Sequence, residues 1–224
     1  MAEKKTKRTA EDLELSDNIH YNFYYWGPLL MKFKVSDSLC DKMLHRAEKL
    51  TIKEDNATTE LVATTKKELN FKNEDTQFFA DQTSKIFNTY LKYQIKDWLD
   101  YNQIGKTASQ RKKGLSTRGL WINYMEKNDF NPIHEHFGDL SFVLFCDVPN
   151  EIKIENQKNK TRSSGAGSLS FLYGDGMPEY VCSQNFMPEK GDFFIFPSKL
   201  QHYVHPFKSD VTRISIAGNM DYMY

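Results

Sequence analysis

Two histidine-containing segments carry the residues best suited to metal chemistry. The first is His134-Glu135-His136, in NPIHEHFGDL, and the second contains His202, in LQHYVHP. Alternate side chains of an extended strand share a face, so His134 and His136 are expected on one side, about 7 Å apart, with Glu135 on the other. Imidazole is a common ligand of transition metals, and His202 is the best candidate for a third ligand. His205 is expected to point away from it. The sequence thus predicts a metal site formed by His134, His136 and His202.

A second chemical function is indicated in the last apolar segment, VTRISIAGN. Strand alternation places Arg213 and Ser215 on one face, together with Ala217 and Asn219. A guanidinium binds a carboxylate through two parallel hydrogen bonds and stays charged at any physiological pH. Arg213, assisted by the hydroxyl of Ser215, is therefore a candidate holder of an acidic ligand such as a dicarboxylate. Alternatively, Arg213 could pair with a buried acid or extend to solvent.

The sequence of the first half of the chain predicts a flexible tail, a strand and two helices. Residues 1–17 are polar and charged and predict a flexible tail, and residues 18–224 are expected to form one domain. An aromatic, extended segment begins at Tyr21 and precedes an amphipathic helix over about 37–50, for which Ser36 and Asp37 offer capping oxygens. A polar connection over 51–65 leads to a longer helix over about 74–101. These helices are expected to cover one face of a sheet.

After Gly105, short apolar segments separated by turn residues predict strands. Several of them, such as Phe142 to Val148, are apolar on both faces, as expected for strands between a core and a covering layer. Helices followed by many short strands favour an α+β fold containing a β-sandwich or jelly roll. The polar insert Asn150 to Gly167 is expected to be a long loop, either a flap near the site or a solvated connection.

Composition narrows the possible partners. Thirty basic residues balance thirty acidic ones, so no positive field supports binding to nucleic acid or an anionic membrane. No apolar stretch reaches the roughly 18 residues that a membrane-spanning helix needs. The three cysteines are widely spaced without a CxxC pair, and the N-terminus lacks the apolar segment of a signal peptide. A cytoplasmic, reducing location is therefore expected, and the oligomeric state is left open.

In combination and order, the short motifs resemble one enzyme family. They are W-x-N (Trp121, Asn123), HxH (His134, His136), a G-D turn (Gly191, Asp192), FPSxLxH (Phe196 to His202), Pro206, and RxS followed by Asn (Arg213, Ser215, Asn219). This pattern, over about Gly119 to Met220, resembles the iron(II)- and 2-oxoglutarate-dependent oxygenases. Within them it is similar to the small prolyl-4-hydroxylase-like branch that includes many phage-encoded members. The resemblance implies a double-stranded β-helix, or jelly roll, with Fe(II), 2-oxoglutarate and O2 as reactants.

The resemblance also implies roles for individual residues. His134 and His202 match the first and the distal histidine ligand, and His136 occupies the position of the usual carboxylate ligand. Arg213 matches the basic residue that holds the remote carboxylate of 2-oxoglutarate, with Ser215 assisting. Asp139 is an alternative ligand if the chain turns after His136, although a turn or supporting role is favoured.

Tyr124 resembles a tyrosine that often binds 2-oxoglutarate in prolyl hydroxylases. Strand alternation lets only one of Asn123 and Tyr124 reach the cosubstrate, and Tyr124 is ranked first.

Three functions follow as hypotheses. The first is a dioxygenase that hydroxylates a C–H bond of a prolyl or other protein side chain, with succinate and CO2 as coproducts. The second is an oxygenase acting on a nucleobase or small metabolite. The third is a non-enzymatic, cupin-like protein whose histidines bind zinc or nothing. A carboxylate holder at Arg213 favours the first two, because a structural metal has no need of one.

Overall fold

Antiparallel strands form two sheets, and helices cover one of them. The computed structural model describes residues 27–58, 65, 67–102, 114–158, 165–174 and 182–223, without the side chains of 95–102. The helices are α1 (Asp37–Ala47), α2 (Ile52–Asp55), α3 (Asn73–Asn102) and α4 (Asn150–Lys158). The strands are β1 (Met31–Lys34), β2 (Lys67–Asn70), β3 (Gly114–Met125), β4 (Asn131–His134), β5 (Leu140–Asp147), β6 (Leu169–Leu172), β7 (Ser183–Phe186), β8 (Asp192–Pro197), β9 (Gln201–Val204) and β10 (Arg213–Met223).

The larger sheet has the strand order β1-β8-β5-β10-β3-β2, and the smaller one has the order β4-β9-β6-β7. Apart from β2 with β3 and β6 with β7, neighbouring strands in the two sheets are not consecutive in the chain, as in a jelly roll. The predicted α+β fold with a double-stranded β-helix core, and helices on one sheet, is confirmed. None of the described helices combines the length and apolar character needed to cross a membrane.

Strands β5 and β8 carry apolar residues on both faces and lie between two hydrophobic cores. On β8, Phe193 and Ile195 pack with α1 and α3, whereas Phe194 and Phe196 point between the sheets. On β5, Leu144 packs towards the helices and Phe145 towards the smaller sheet in the same way. Each large apolar side chain buried in this way contributes about 1.5–3 kcal/mol. The larger sheet is therefore held from both faces and forms a rigid support for side chains in the space between the sheets.

The predicted helices over 37–50 and 74–101 are confirmed as α1 and α3. Ser36 occupies the N-cap position of α1, but its side chain makes no capping hydrogen bond, so that detail was wrong. The expected tail (1–17) and the aromatic residues before position 27 lie outside the described residues.

Two segments differ from the sequence-based predictions. Asn150 to Gly167 was expected to be a loop, but its first nine residues form α4, which inserts Ile152 into the core between the sheets. This mostly polar helix is also held by the carboxylate of Glu155, which accepts hydrogen bonds from the backbone N–H groups of Lys208 and Ser209. The segment that follows the polar connection forms β2, a strand that its mostly polar residues had not revealed.

Candidate metal and cosubstrate site

The three predicted histidines converge between the two sheets. One nitrogen from each of His134, His136 and His202 lies within 4.8 Å of the others, a spacing suited to a shared metal ion. The Nε2 atoms of His136 and His202 are 3.2 Å apart. Two nitrogens that each lie about 2.1 Å from one ion at a right angle would be about 3 Å apart, so the spacing fits adjacent ligands.

The route by which His136 reaches this cluster differs from the expectation. Strand β4 ends at His134, so His134 and His136 do not share a face of one continuous strand. Instead, the backbone N–H of His136 donates to the carbonyl of Ser198, which precedes β9. Gly138, with a φ of +92°, then turns the chain into β5. At that φ an L side chain would be strained, which explains the glycine two residues after the histidine.

Backbone carbonyls set the orientation of two imidazoles. Nδ1 of His134 lies 2.7 Å from the carbonyl oxygen of Pro132, and Nδ1 of His202 lies 2.9 Å from that of Leu200. A carbonyl only accepts, so each Nδ1 carries the proton and each Nε2 keeps a free lone pair. Both rings are therefore prepared to coordinate a metal through Nε2.

Burial keeps these imidazoles neutral. It lowers the pKa of His134, that of His136 to about 4 and that of His202 to about 3, with mutual repulsion among the rings as a further cause for the last two. A neutral imidazole is the form that binds metals. The cluster is therefore available to an ion throughout the physiological pH range.

The alternative ligand, Asp139, is not part of the cluster. Its carboxylate is exposed and accepts a hydrogen bond from the backbone N–H of Tyr222, at 2.7 Å. Glu135 also points away, as expected, and forms an ion pair with Lys199 on the surface. His205 likewise lies outside the group of three ligand atoms.

A cavity runs from the histidines to Arg213. Its walls combine the three histidines with Asn123, Arg213, Ser215 and Ala217 and with apolar residues of both sheets, Val143, Phe145, Leu169 and Phe196 among them. Residues of β10 alternate as predicted, since Ile214 and Ile216 pack on the helical side. The sequence had thus identified the face of β10 that lines the cavity.

Arg213 is buried, with 4% of its surface exposed, and its Nη1 donates to the carbonyl oxygen of Gly167 at 2.8 Å. Its Nε has no partner among the described residues, and they form no ion pair with it. Burial lowers the pKa of Arg213 to about 10, which leaves it charged at neutral pH. A buried, uncompensated cation facing a cavity fits an anionic ligand. The alternatives of a buried acid partner or exposure to solvent do not describe its surroundings.

The ranking of Tyr124 above Asn123 is corrected. Asn123 lines the cavity, and its Nδ2 donates to Oγ of Ser215 at 3.5 Å. Tyr124 points to the opposite face and packs against the core beneath the helices. The reason is register, because Asn123 pairs with Ser215 while Tyr124 pairs with Ile214.

Two polar cavity residues had not been identified. Glu68 of β2 is 2% exposed, and Asn131 of β4 is partly buried. Oε2 of Glu68 and Oδ1 of Asn131 both lack a hydrogen-bond partner among the described residues. Glu68 follows two lysines in a polar segment, a context typical of a solvated surface, so only the register of β2 with β3 reveals its position.

Comparison with protein families finds one similar family. A family model described as "Putative 2OG-Fe(II) oxygenase" matches residues 119–219, which contain the histidine cluster and Arg213. Residues 119–219, a little under half of the chain, thus resemble the iron(II)- and 2-oxoglutarate-dependent oxygenases. Together with the histidine cluster, this match indicates a 2-oxoglutarate-dependent dioxygenase that uses Fe(II), 2-oxoglutarate and O2. A comparison with curated proteins gave no match.

Solved structures of this oxygenase's fold include prolyl hydroxylases. A Pseudomonas putida prolyl-4-hydroxylase has a TM-score of 0.50 and 12% identity, over 87% of this chain and 93% of that one. The viral collagen prolyl hydroxylase of Paramecium bursaria Chlorella virus-1, solved with 2-oxoglutarate, has a TM-score of 0.50 and 13% identity, over 85% and 94% of the two chains. AviO1 of Streptomyces viridochromogenes Tue57 has a TM-score of 0.51 and 9% identity, over 87% and 89%. At these identities the likeness concerns the fold.

Proposed function

We propose that this oxygenase holds Fe(II) at His134, His136 and His202 and 2-oxoglutarate at Arg213, and that it hydroxylates a C–H bond of a peptide or small molecule. The observation that carries the proposal is one cavity that contains both three converging imidazoles and a buried guanidinium without an acid partner in the described part of the chain. A metal ligand set and an anion holder in one enclosed space are the two features that the family's reactants require.

Bound Fe(II) with 2-oxoglutarate supplies the oxidising chemistry by which O2 is consumed and a C–H bond is hydroxylated, with succinate and CO2 as coproducts. The chain's own residues position the reactants. Arg213 binds the remote carboxylate, and the Ser215 hydroxyl, which already receives a hydrogen bond from Asn123, lies beside it on β10. The apolar walls at Val143, Phe145 and Leu169 exclude water from the space between the two ends.

His136 gives the site an unusual charge. A carboxylate at this position would subtract one unit of charge from the ion, whereas a neutral imidazole subtracts none. The carbonyl bonds to Nδ1 of His134 and His202 direct two ligand atoms at the ion, and the backbone bond of His136 to Ser198 fixes the third. We infer that the centre works with three neutral ligands.

The primary substrate is proposed to be a protein side chain, a prolyl residue being one candidate that the fold of the prolyl hydroxylases supports. A small metabolite or nucleobase is the alternative. Balanced charge gives no support to a nucleic acid as substrate. A non-enzymatic metal-binding role does not explain why Arg213 is buried beside the cavity.

Reconstitution tests the proposal in two steps. Without O2, addition of Fe(II) and then 2-oxoglutarate to the full chain is expected to give a visible charge-transfer absorption. With O2, the same mixture is expected to form succinate, at a rate increased by the correct member of a panel of peptides, nucleosides and amino acids. Zn(II) in place of Fe(II) is the control and should give neither signal. Tight binding of Zn(II) together with no absorption and no succinate from Fe(II) would contradict the proposal.

A further inference from the structure

Glu68 lies beside the proposed cosubstrate site without a function assigned to it. On the larger sheet it pairs in register with Asn123 of β3, which pairs in turn with Ser215 of β10. Residues in such a row point to the same face of a sheet, and all three line the cavity. A carboxyl group is therefore presented to the same space as the iron ligands.

The carboxyl is buried and incompletely hydrogen-bonded. Only 2% of the surface of Glu68 is exposed, and its Oε2 has no partner in the described part of the chain. Asn131, across the cavity on β4, also has an unpartnered buried oxygen. The side-chain amide of Asn131 can act as a donor or as an acceptor. Ionised Glu68 can only accept hydrogen bonds, so it determines which kind of ligand group fits here.

No charged group in the described part of the chain compensates the charge of ionised Glu68. Burial, and secondly the nearby carboxylate of Asp129, raise its pKa to about 7. Arg213 lines the same cavity, but its Nη1 donates to Gly167 and its Nε is unpartnered, so the guanidinium does not neutralise Glu68. The three histidines of the cavity are neutral. The ionised form of Glu68 therefore lacks a hydrogen-bond donor with a positive charge, which a bound ligand can supply.

2-Oxoglutarate cannot be the partner of the ionised carboxylate, because it is a dianion that only accepts hydrogen bonds. A prolyl ring within a peptide is unsuitable too, since it has neither an N–H nor a charge. We propose that Glu68 binds an ammonium or guanidinium group of the primary substrate, so that the oxygenase acts on a basic side chain or a basic small molecule. This inference rests on the proposed function, because it places the basic group next to the proposed iron and cosubstrate positions.

Binding of simple probes tests the carboxyl directly. Isothermal titration of the full chain with n-butylammonium and n-butylguanidinium, against neutral n-butanol, is expected to show at least about tenfold tighter binding of the cations. Glu68→Gln, which keeps the size of the side chain and removes its charge, is expected to abolish that preference. Glu126→Gln is the matched control, since Glu126 is exposed, and should behave as the wild type. Equal affinities for cations and butanol in the wild type would overturn the inference.

Measurements of turnover distinguish a basic side chain of a protein substrate from a basic small molecule. Succinate formation is measured with pentapeptides that carry Lys, Arg, Pro or Leu at the centre, and with free butylamine and butylguanidine. Stimulation by the Lys or Arg peptide, lost in Glu68→Gln, would indicate a protein substrate, and stimulation by the free bases would indicate a small molecule. Stimulation by the Pro peptide alone, or a preference unchanged in Glu68→Gln, would refute the role of Glu68. No succinate or charge-transfer absorption in any mixture would instead refute the proposed function, while leaving the result of the titration intact.

Discussion

Nε2 of His136 lies 3.2 Å from Nε2 of His202, although the two residues are far apart in the chain. This contact joins a loop after β4 to strand β9, and His134 completes the group from the end of β4 itself. Without an ion, Nε2 of His136 can donate one hydrogen bond to Nε2 of His202, whose own proton is on Nδ1. That bond leaves Nε2 of His134 unused, whereas a metal ion can bind one nitrogen of each of the three rings at once.

Replacement of a proposed ligand should abolish iron binding. We expect His202→Ala to weaken Fe(II) affinity by more than about 100-fold, because it removes a ligand whose orientation is already fixed by Leu200. The measurement is the anaerobic charge-transfer absorption with Fe(II) and 2-oxoglutarate. His45→Ala, on the exposed surface of α1, is the control. An absorption of full intensity in His202→Ala would remove this residue from the metal site.

Replacement of Asp139 distinguishes the two possible ligand sets. We expect Asp139→Asn to leave Fe(II) affinity unchanged, because the carboxylate accepts from the backbone of Tyr222 and lies outside the histidine group. The amide oxygen of Asn can still accept from Tyr222, so only the charge assistance is lost, and the free energy of unfolding should fall by at most about 1 kcal/mol. Titration of Fe(II) and chemical denaturation measure the two effects. Loss of iron binding with stability intact would make Asp139 a ligand.

The buried cation should determine cosubstrate affinity. We expect Arg213→Ala to raise the KM for 2-oxoglutarate by roughly 30-fold or more, since one partner of a buried charge pair is lost. Iron binding without 2-oxoglutarate should be retained, because Arg213 bonds to Gly167 and not to the histidines. Arg118→Ala is the control, as Arg118 forms an exposed ion pair with Asp221. Unchanged succinate formation in Arg213→Ala would exclude the assigned role.

The third imidazole should influence the redox balance of the centre. We expect His136→Asp to lower the Fe(III)/Fe(II) potential, because a carboxylate adds one negative charge next to the ion and stabilises the higher oxidation state. Electrochemical titration of the iron-loaded chain without 2-oxoglutarate measures the shift. His136→Asn, which is neutral and of similar size to Asp, separates the effect of charge from that of side-chain length. A potential that is equal in the two variants would show that His136 does not lie beside the ion.

Local periodicity predicted much of the fold and part of the cavity. Alternation along β10 correctly separated Arg213 and Ser215 from Ile214, because that strand runs between a core and a cavity. The same rule did not describe His136, where the chain leaves β4 and is held by a bond to Ser198. Hydrogen bonds between segments distant in sequence leave no local pattern.

The register between neighbouring strands explains the cavity residues that periodicity did not predict. Asn123, and not Tyr124, faces the cavity because it pairs with Ser215, and Glu68 joins the same row across β2. Leu120 and Ile122 share the face of Tyr124 and pack beneath the helices, so alternation with these apolar neighbours could have identified Asn123. Glu68 offered no such signal, since its burial depends wholly on which strand lies next to β2.

The buried carboxyl should also make stability depend on pH. The pKa of Glu68 is raised from 4.5 to about 7 by burial and then by Asp129, so the folded chain binds more protons than the unfolded chain between these values. The stabilising effect of the protonated form is complete below about pH 4.5 and is lost as the pH rises through about 7. Glu68→Gln cannot ionise, and we therefore expect its stability relative to the wild type to increase by about 3 kcal/mol between about pH 4 and pH 8. Urea denaturation of the metal-free chain at several pH values measures this difference. A difference independent of pH would mean that the carboxyl of Glu68 is already paired in the folded protein.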